Sequence, residues 1–157
     1  MPILEKDLST ARTAWGNGLL EISKSFETEG IEMARKVAGN MLDTLYGFDL
    51  GQVMFKPTLS GGSQTFRTTK EGALSYYTGQ NSAYPNDVGF GVMFWREFNS
   101  NTSAIFIDDT VAMWMGSFTL IDRDGRVTKV DKSYGYKLDG NGNLRIMLHH
   151  SSLPYEL

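Results

Sequence analysis

Residues 111–152, VAMWMGSFTLIDRDGRVTKVDKSYGYKLDGNGNLRIMLHHSS, decide how the rest of the chain must be arranged. They read as three strands: Val111 to Asp122, Arg126 to Leu138 and Leu144 to Ser152. The Asp-Gly pair in Arg123-Asp124-Gly125 suits a hairpin turn between the first two. Asp139-Gly140-Asn141-Gly142-Asn143 turns the chain into the third, and Leu153-Pro154 stops it. Within Val111 to Ile121, Trp114, Phe118 and Leu120 share one parity, while Met113, Met115 and Ile121 share the other. Successive strand residues point to opposite faces, so this strand is apolar on both and needs cover on both. One face can take helices. The other calls for a second subunit, which predicts a homodimer through the sheet.

The helices lie upstream. Ala11, Trp15, Leu19, Ile22 and Phe26 recur every three or four residues, the spacing of one face of an amphipathic helix; Gly16 and Gly18 weaken it locally. After Glu29-Gly30 the period restarts with Ile31, Ala34, Ala38, Met41 and Leu45 and ends near Gly47. Between helices and hairpins the pattern predicts short strands at Gly51 to Lys56, Ala73 to Thr78, Gly89 to Trp95 and Thr102 to Ile107, with Asn99-Ser100-Asn101 as a turn. Two helices followed by an antiparallel sheet define an α+β fold, helices on one face of a curved sheet. No repeat, linker or low-complexity run interrupts it. The expectation is one domain over 1–157, with helices over about 4–47 and the sheet over about 50–153.

Composition narrows the function. The chain has 157 residues, 41% hydrophobic and 21% charged, which is ordinary globular composition. A net charge of −3, without any basic run interleaved with aromatics, argues against a nucleic-acid partner. With no cysteine, disulfides and thiolate metal ligation are both ruled out. The first residues lack the apolar core of a secretory signal, and no 18-residue apolar run suggests a membrane span, so a cytoplasmic location is expected.

Both histidines of the chain are adjacent, His149 and His150. Two ordinary strand-end histidines, one buried and one solvated, would need no catalytic role. Alternation pairs His149 with Ser151 and His150 with Ser152, so only one pair can line a pocket. Leu144, Ile146 and Leu148 share the parity of His150, and Arg145 and Met147 that of His149. Parity alone leaves the choice open. Adjacent strand histidines reach one ion poorly, and Asp108-Asp109 suits a solvated turn, so an intrinsic catalytic metal is disfavoured. Ser60-Gly61-Gly62-Ser63 lacks the Lys-Ser/Thr ending of a phosphate loop. Thr58, beside Pro57, and the pair Tyr76-Tyr77 add hydroxyls, although a core tyrosine is ordinarily an apolar body with a satisfied hydroxyl.

Together the segments Phe55-Lys56-Pro57-Thr58, Phe66-Arg67, Gly72-Ala73-Leu74-Ser75-Tyr76-Tyr77, Gly89-Phe90, Trp95 and His149 to Tyr155 resemble the iota-class carbonic anhydrases. That family is related to the association domain of calcium/calmodulin-dependent protein kinase II and has the cone-shaped nuclear-transport-factor-two-like fold. The resemblance implies reversible hydration of carbon dioxide to bicarbonate in a pocket without a bound metal. Carried over by motif, its pocket residues are Thr58, Tyr76, His149 and Ser151. This choice puts Leu144, Ile146 and Leu148 under a dimer partner. Hydroxyls of Thr58, Tyr76 and Ser151 would hold the water and the nascent bicarbonate, His149 would accept or relay the proton, and Phe90, Trp95 and Trp114 would form apolar walls. Some members of the class are metal-dependent, which leaves zinc or manganese open as a cofactor. The alternative on the same fold is a noncatalytic oligomerising or small-anion-binding module.

Overall fold

Two helices lead into the molecule, α1 (Glu5–Glu29) and α2 (Ile31–Leu45), separated by Gly30. The computed structural model describes residues 2–157. Along α1 the predicted stripe faces inward: Trp15, Leu19 and Ile22 are buried, with Ala11 and Phe26 at its margins. Gly16 does more than weaken this helix. A Cβ there would lie 2.3 Å from the Phe98 ring, so glycine is what allows the helix to approach the sheet so closely.

The sheet has five strands: β1 (Met54–Lys56), β2 (Trp95–Ile107), β3 (Val111–Asp122), β4 (Val127–Leu138) and β5 (Leu144–Ser152). Their order is β1-β5-β4-β3-β2, antiparallel throughout except for β1, which runs parallel to β5. The hairpins predicted around residues 123–125 and 139–143 join β3 to β4 and β4 to β5. On β3, Trp114, Phe118 and Leu120 are buried, while Met113 and Met115 are exposed on the outer face. The helices cover the inner face alone.

Four expectations fail here, each for a physical reason. Ala73 to Thr78 is not a strand but part of α3 (Lys70–Thr78), whose first turn is capped by Thr69 Oγ1 accepting from the Gly72 amide. Gly89 to Trp95 contains a 3-10 turn over Phe90–Val92, because Gly89 and Phe94 have φ of +88° and +64° and break any strand. Asn99-Ser100-Asn101 is not a turn. It lies inside β2, where the pairings Asn99↔Thr119, Ser100↔Phe118 and Asn101↔Ser117 outweigh its turn chemistry.

The fourth concerns β5. Gly135 pairs with Leu148 but Tyr136 pairs with Ile146, so Met147 is a bulge residue. The extra residue inverts parity: Ile146 faces the core, as do His149 and Ser151, whereas Leu148 belongs to the other face. Ile146 is 2% exposed within the helix-covered core, so the expected dimer partner over Leu144, Ile146 and Leu148 is corrected. Simple alternation holds only within each side of the bulge.

Candidate active site

β1 and β5 run side by side with Phe55 opposite His149 and Lys56 opposite His150. Pro57 ends β1, and the next residue, Thr58, reaches Ser151: their hydroxyl oxygens share a hydrogen bond of 2.7 Å. The Tyr76 ring comes from α3, with its hydroxyl accepting from the Leu59 amide at 3.1 Å and lying beside Thr58. A helix rather than a strand matters at this point. Alternation would send Tyr76 and Tyr77 to opposite faces, whereas α3 buries both rings.

Thr58, Tyr76, His149 and Ser151 therefore meet in one narrow, closely packed pocket. Its other walls include Trp15, Phe55, Phe90 and Tyr77. Of the expected apolar walls, Phe90 lines it. Trp95 stands one layer behind, its ring centroid 5.3 Å from Phe90. Trp114 is elsewhere, packed on Phe118 and Tyr134 with its indole N–H on Thr102. A wider hollow lies on the outer face of the sheet, an open depression bordered by Met115, Asp131, His150 and Ser152.

One residue of the pocket went unread in the sequence. Lys132 on β4 is 4% exposed, with Nζ 2.8 Å from His149 Nε2 and donating to Ser151 Oγ at 3.0 Å. It also sits over the Trp15 ring, 4.4 Å from its centroid. Its signal was available: Val130, Lys132, Tyr134 and Tyr136 share one parity, and the other three are apolar or aromatic. A lysine on a buried face is uncommon enough to mark a site.

Behind His149 stands Tyr46, absent from the sequence reading, joined to Tyr77 and Trp15. His149 Nδ1 is 2.8 Å from Tyr46 Oη, which is 2.6 Å from Tyr77 Oη; the Trp15 indole N–H donates to both hydroxyls at 3.2 and 3.1 Å. Tyr46 is held at the end of α2 by Arg145, which donates to its carbonyl at 2.7 Å and to that of Asp43 at 2.8 Å. The imidazole itself lies stacked on Phe55, centroids 4.7 Å apart.

Electrostatics follow from burial. Desolvation, then the neighbouring Lys132 and His150, hold His149 well below the usual histidine range. Burial likewise pushes Lys132 well below an ordinary lysine and raises Tyr46, Tyr76 and Tyr77 above ordinary tyrosines. At neutral pH the pocket is therefore lined by protonated hydroxyls and a neutral imidazole. Among the described residues, no group of three or more His, Cys, Asp or Glu side chains gathers as it would around a metal ion.

The molecule has the fold of the nuclear-transport-factor-two-like cones. It superposes with a TM-score of 0.54 on a protein of that family from Streptomyces avermitilis, at 12% identity over 96% of each chain. With a protein from Xanthomonas campestris, described as a calcium/calmodulin-dependent protein kinase II association domain, the TM-score is 0.53 at 21% identity; 96% of this chain and 84% of that one are covered. Within that class the chain belongs to the metal-independent carbonic anhydrases, whose family model matches residues 6–153. It is 42% identical over 154 residues to the metal-independent carbonic anhydrase of Nostoc sp., covering 98% of this chain and 75% of that protein. It also superposes with a TM-score of 0.97 on a cyanobacterial iota-carbonic anhydrase complexed with bicarbonate, at 42% identity, covering 99% of this chain and 95% of that one.

Proposed function

We propose that this chain catalyses the reversible hydration of carbon dioxide to bicarbonate without a bound metal, at the pocket formed by Thr58, Tyr76, His149 and Ser151. The observation that carries this is the convergence of three hydroxyl-bearing side chains, from the turn after β1, from α3 and from β5, on one narrow pocket beside a buried imidazole. Hydration needs a water to attack carbon while losing a proton, as negative charge grows on the oxygens. Hydroxyl donors aimed at that charge stabilise it, and enclosure by Trp15, Phe55 and Phe90 strengthens each such bond. The same apolar walls receive uncharged carbon dioxide. With no metal to acidify the water, the proton must leave during attack, to a nitrogen base in the pocket.

The experiment is stopped-flow hydration of carbon dioxide by protein treated exhaustively with chelator. A rate well above the buffer background is expected. A background rate would sink the function, and activity lost on chelation but restored by zinc or manganese would sink its metal-free form.

The chain works as one domain over 1–157, since one buried cluster joins both helices to all five strands. It pairs as a homodimer through the outer face, where Phe106, Met113 and Met115 stand 52%, 45% and 56% exposed. Sedimentation at micromolar concentration tests the pairing, and a monomer throughout would reject it. Among the described residues no helix is long and apolar enough to cross a membrane. A cytoplasmic location, in keeping with the cysteine-free sequence, is checked by cell fractionation.

A further inference from the structure

The carbonic anhydrase reading requires a base, and the hydrogens around His149 decide which group that is. Each tyrosine hydroxyl has one hydrogen to donate. Among the described residues, the Tyr77 hydroxyl has two partners, the Trp15 indole, which can only donate, and Tyr46 Oη. Tyr77 must therefore donate to Tyr46. Tyr46, already receiving from Tyr77 and Trp15, must donate to its one remaining neighbour, His149 Nδ1. A neutral imidazole that accepts at Nδ1 carries its hydrogen on Nε2, and Nε2 faces Lys132 Nζ at 2.8 Å. Two donors cannot face each other at that distance, so Nζ must offer a lone pair.

We propose that Lys132 is the base of the reaction: the Tyr77–Tyr46–His149 chain holds it as a neutral amine, and it takes the proton of the hydrating water. The opposite assignment makes Lys132 an ammonium and places the His149 hydrogen on Nδ1. Tyr46 would then donate to Tyr77, leaving the Tyr77 hydrogen without an acceptor among the described residues. Lys132 has no carboxylate partner among the described residues. From β5 it meets His149 and Ser151, from α1 the Trp15 ring, from β3 Phe118 and from β4 Tyr134. The neighbouring cation Lys56 is turned to the Ser151 carbonyl at 2.9 Å. Burial favours the neutral amine as well.

The step balances. The proton reaches Nζ along the Tyr77–Tyr46–His149 chain, of which Tyr77 borders the pocket. Each hydrogen moves one place: from water to Tyr77 Oη, from Tyr77 to Tyr46, from Tyr46 to His149 Nδ1, and from His149 Nε2 to Nζ. The water oxygen bonds to carbon, one C=O π pair withdraws onto oxygen, a water O–H bond breaks, and the relay leaves one more proton on Nζ and a bare Nε2 to accept from it. The products are bicarbonate and a lysine ammonium beside it. That cation forms only as the anion forms, so it stabilises product charge without occupying the resting site. A buffer base then takes the proton back. His149 sets the resting state of Lys132 and passes the proton on, without touching the water or the carbon.

Two measurements test this. In the unaltered full chain labelled with [15N]lysine and [15N]histidine, NMR at pH 8 should show Lys132 as an amine and His149 protonated on Nε2 only. A Lys132 ammonium beside an Nδ1-protonated His149 would overturn the proposal. Lys132→Arg keeps a cation but cannot accept a proton. It should still bind [13C]bicarbonate while hydration falls about 100-fold or more, the scale of a lost general base. Hydration kept near the unaltered rate would make the lysine a charge holder and overturn its role as base. If the arginine variant does not fold, the NMR state decides. Absence of hydration in the unaltered protein would instead overturn the carbonic anhydrase reading, a failure separate from the tautomer seen by NMR.

Discussion

Ser151→Ala is expected to lower kcat/KM for carbon dioxide hydration by about 10²–10³-fold, the cost of one well-placed donor to a developing oxyanion. The expectation rests on position. Ser151 Oγ is buried, 2.7 Å from Thr58 Oγ1 and within reach of Lys132 Nζ at 3.0 Å, so it joins the hydroxyl and nitrogen parts of the pocket. Stability should move by only about 1 kcal/mol, because alanine removes one hydrogen-bonding atom from a strand whose backbone pairing with β4 is unaffected. Thr58→Val should act similarly. The double variant should cost much less than the product of the two, since the hydroxyls form one hydrogen-bonded unit. Stopped-flow rates beside thermal melts separate the effects. Unchanged turnover in Ser151→Ala would remove that hydroxyl from the mechanism, and strictly multiplicative losses would show that the two act apart.

How far the sequence could be read depends on where its local rules were overridden. The bounds of β3 and β5 followed from their turns, and the α1 stripe from its period, since nothing nearby contradicted either. The bulge at Met147 defeats parity counting, because two-residue alternation assumes an unbroken ladder and the extra residue shows only in pairing with β4. Resemblance, not periodicity, put His149 and Ser151 in the pocket, and the bulge supplies the physical cause. The α3 segment misled because nine residues are too few for a helical period to stand out from Ala-Leu-Ser-Tyr-Tyr; the Thr69 cap was its real signal. Tyr46 gives no local sign of its role, since its importance arises from contacts 31 and 103 residues away. Lys132 differs. The apolar parity of β4 exposed it, and a lysine counted as surface charge is easily passed over.

Arg67→Met is expected to destabilise the protein by about 3–5 kcal/mol, the cost of leaving one partner of a buried ion pair alone. Side chains of Arg67 and Asp87 are each 3% exposed. The guanidinium donates to both carboxylate oxygens at 2.7 Å, to the Gly72 carbonyl at 2.9 Å and to the Gln64 carbonyl at 2.7 Å. Ser75 donates to Asp87 at 2.6 Å, and the Arg67 amide to the Phe55 carbonyl at 2.7 Å. These bonds tie the segment after β1 to α3 and to the loop before Phe90. Thr58, Tyr76 and Phe90 belong to those three pieces, so one ion pair aligns three walls of the pocket. Methionine fills much of the volume but leaves the Asp87 carboxylate buried with the Ser75 hydroxyl as its remaining side-chain donor. A typical domain is stable by about 5–15 kcal/mol, so the loss is a large part of the whole. Urea titration should show it as a lowered midpoint with the slope retained. Replacing both partners, Arg67→Met with Asp87→Leu, should recover most of the stability, because what costs is the unpaired charge rather than the missing bridge. Hydration should not recover with it, since an apolar pair makes none of the bonds that set Tyr76 against Thr58. A loss below about 1 kcal/mol in the single variant would mean that water reaches Asp87 and that the pocket walls are aligned by packing instead.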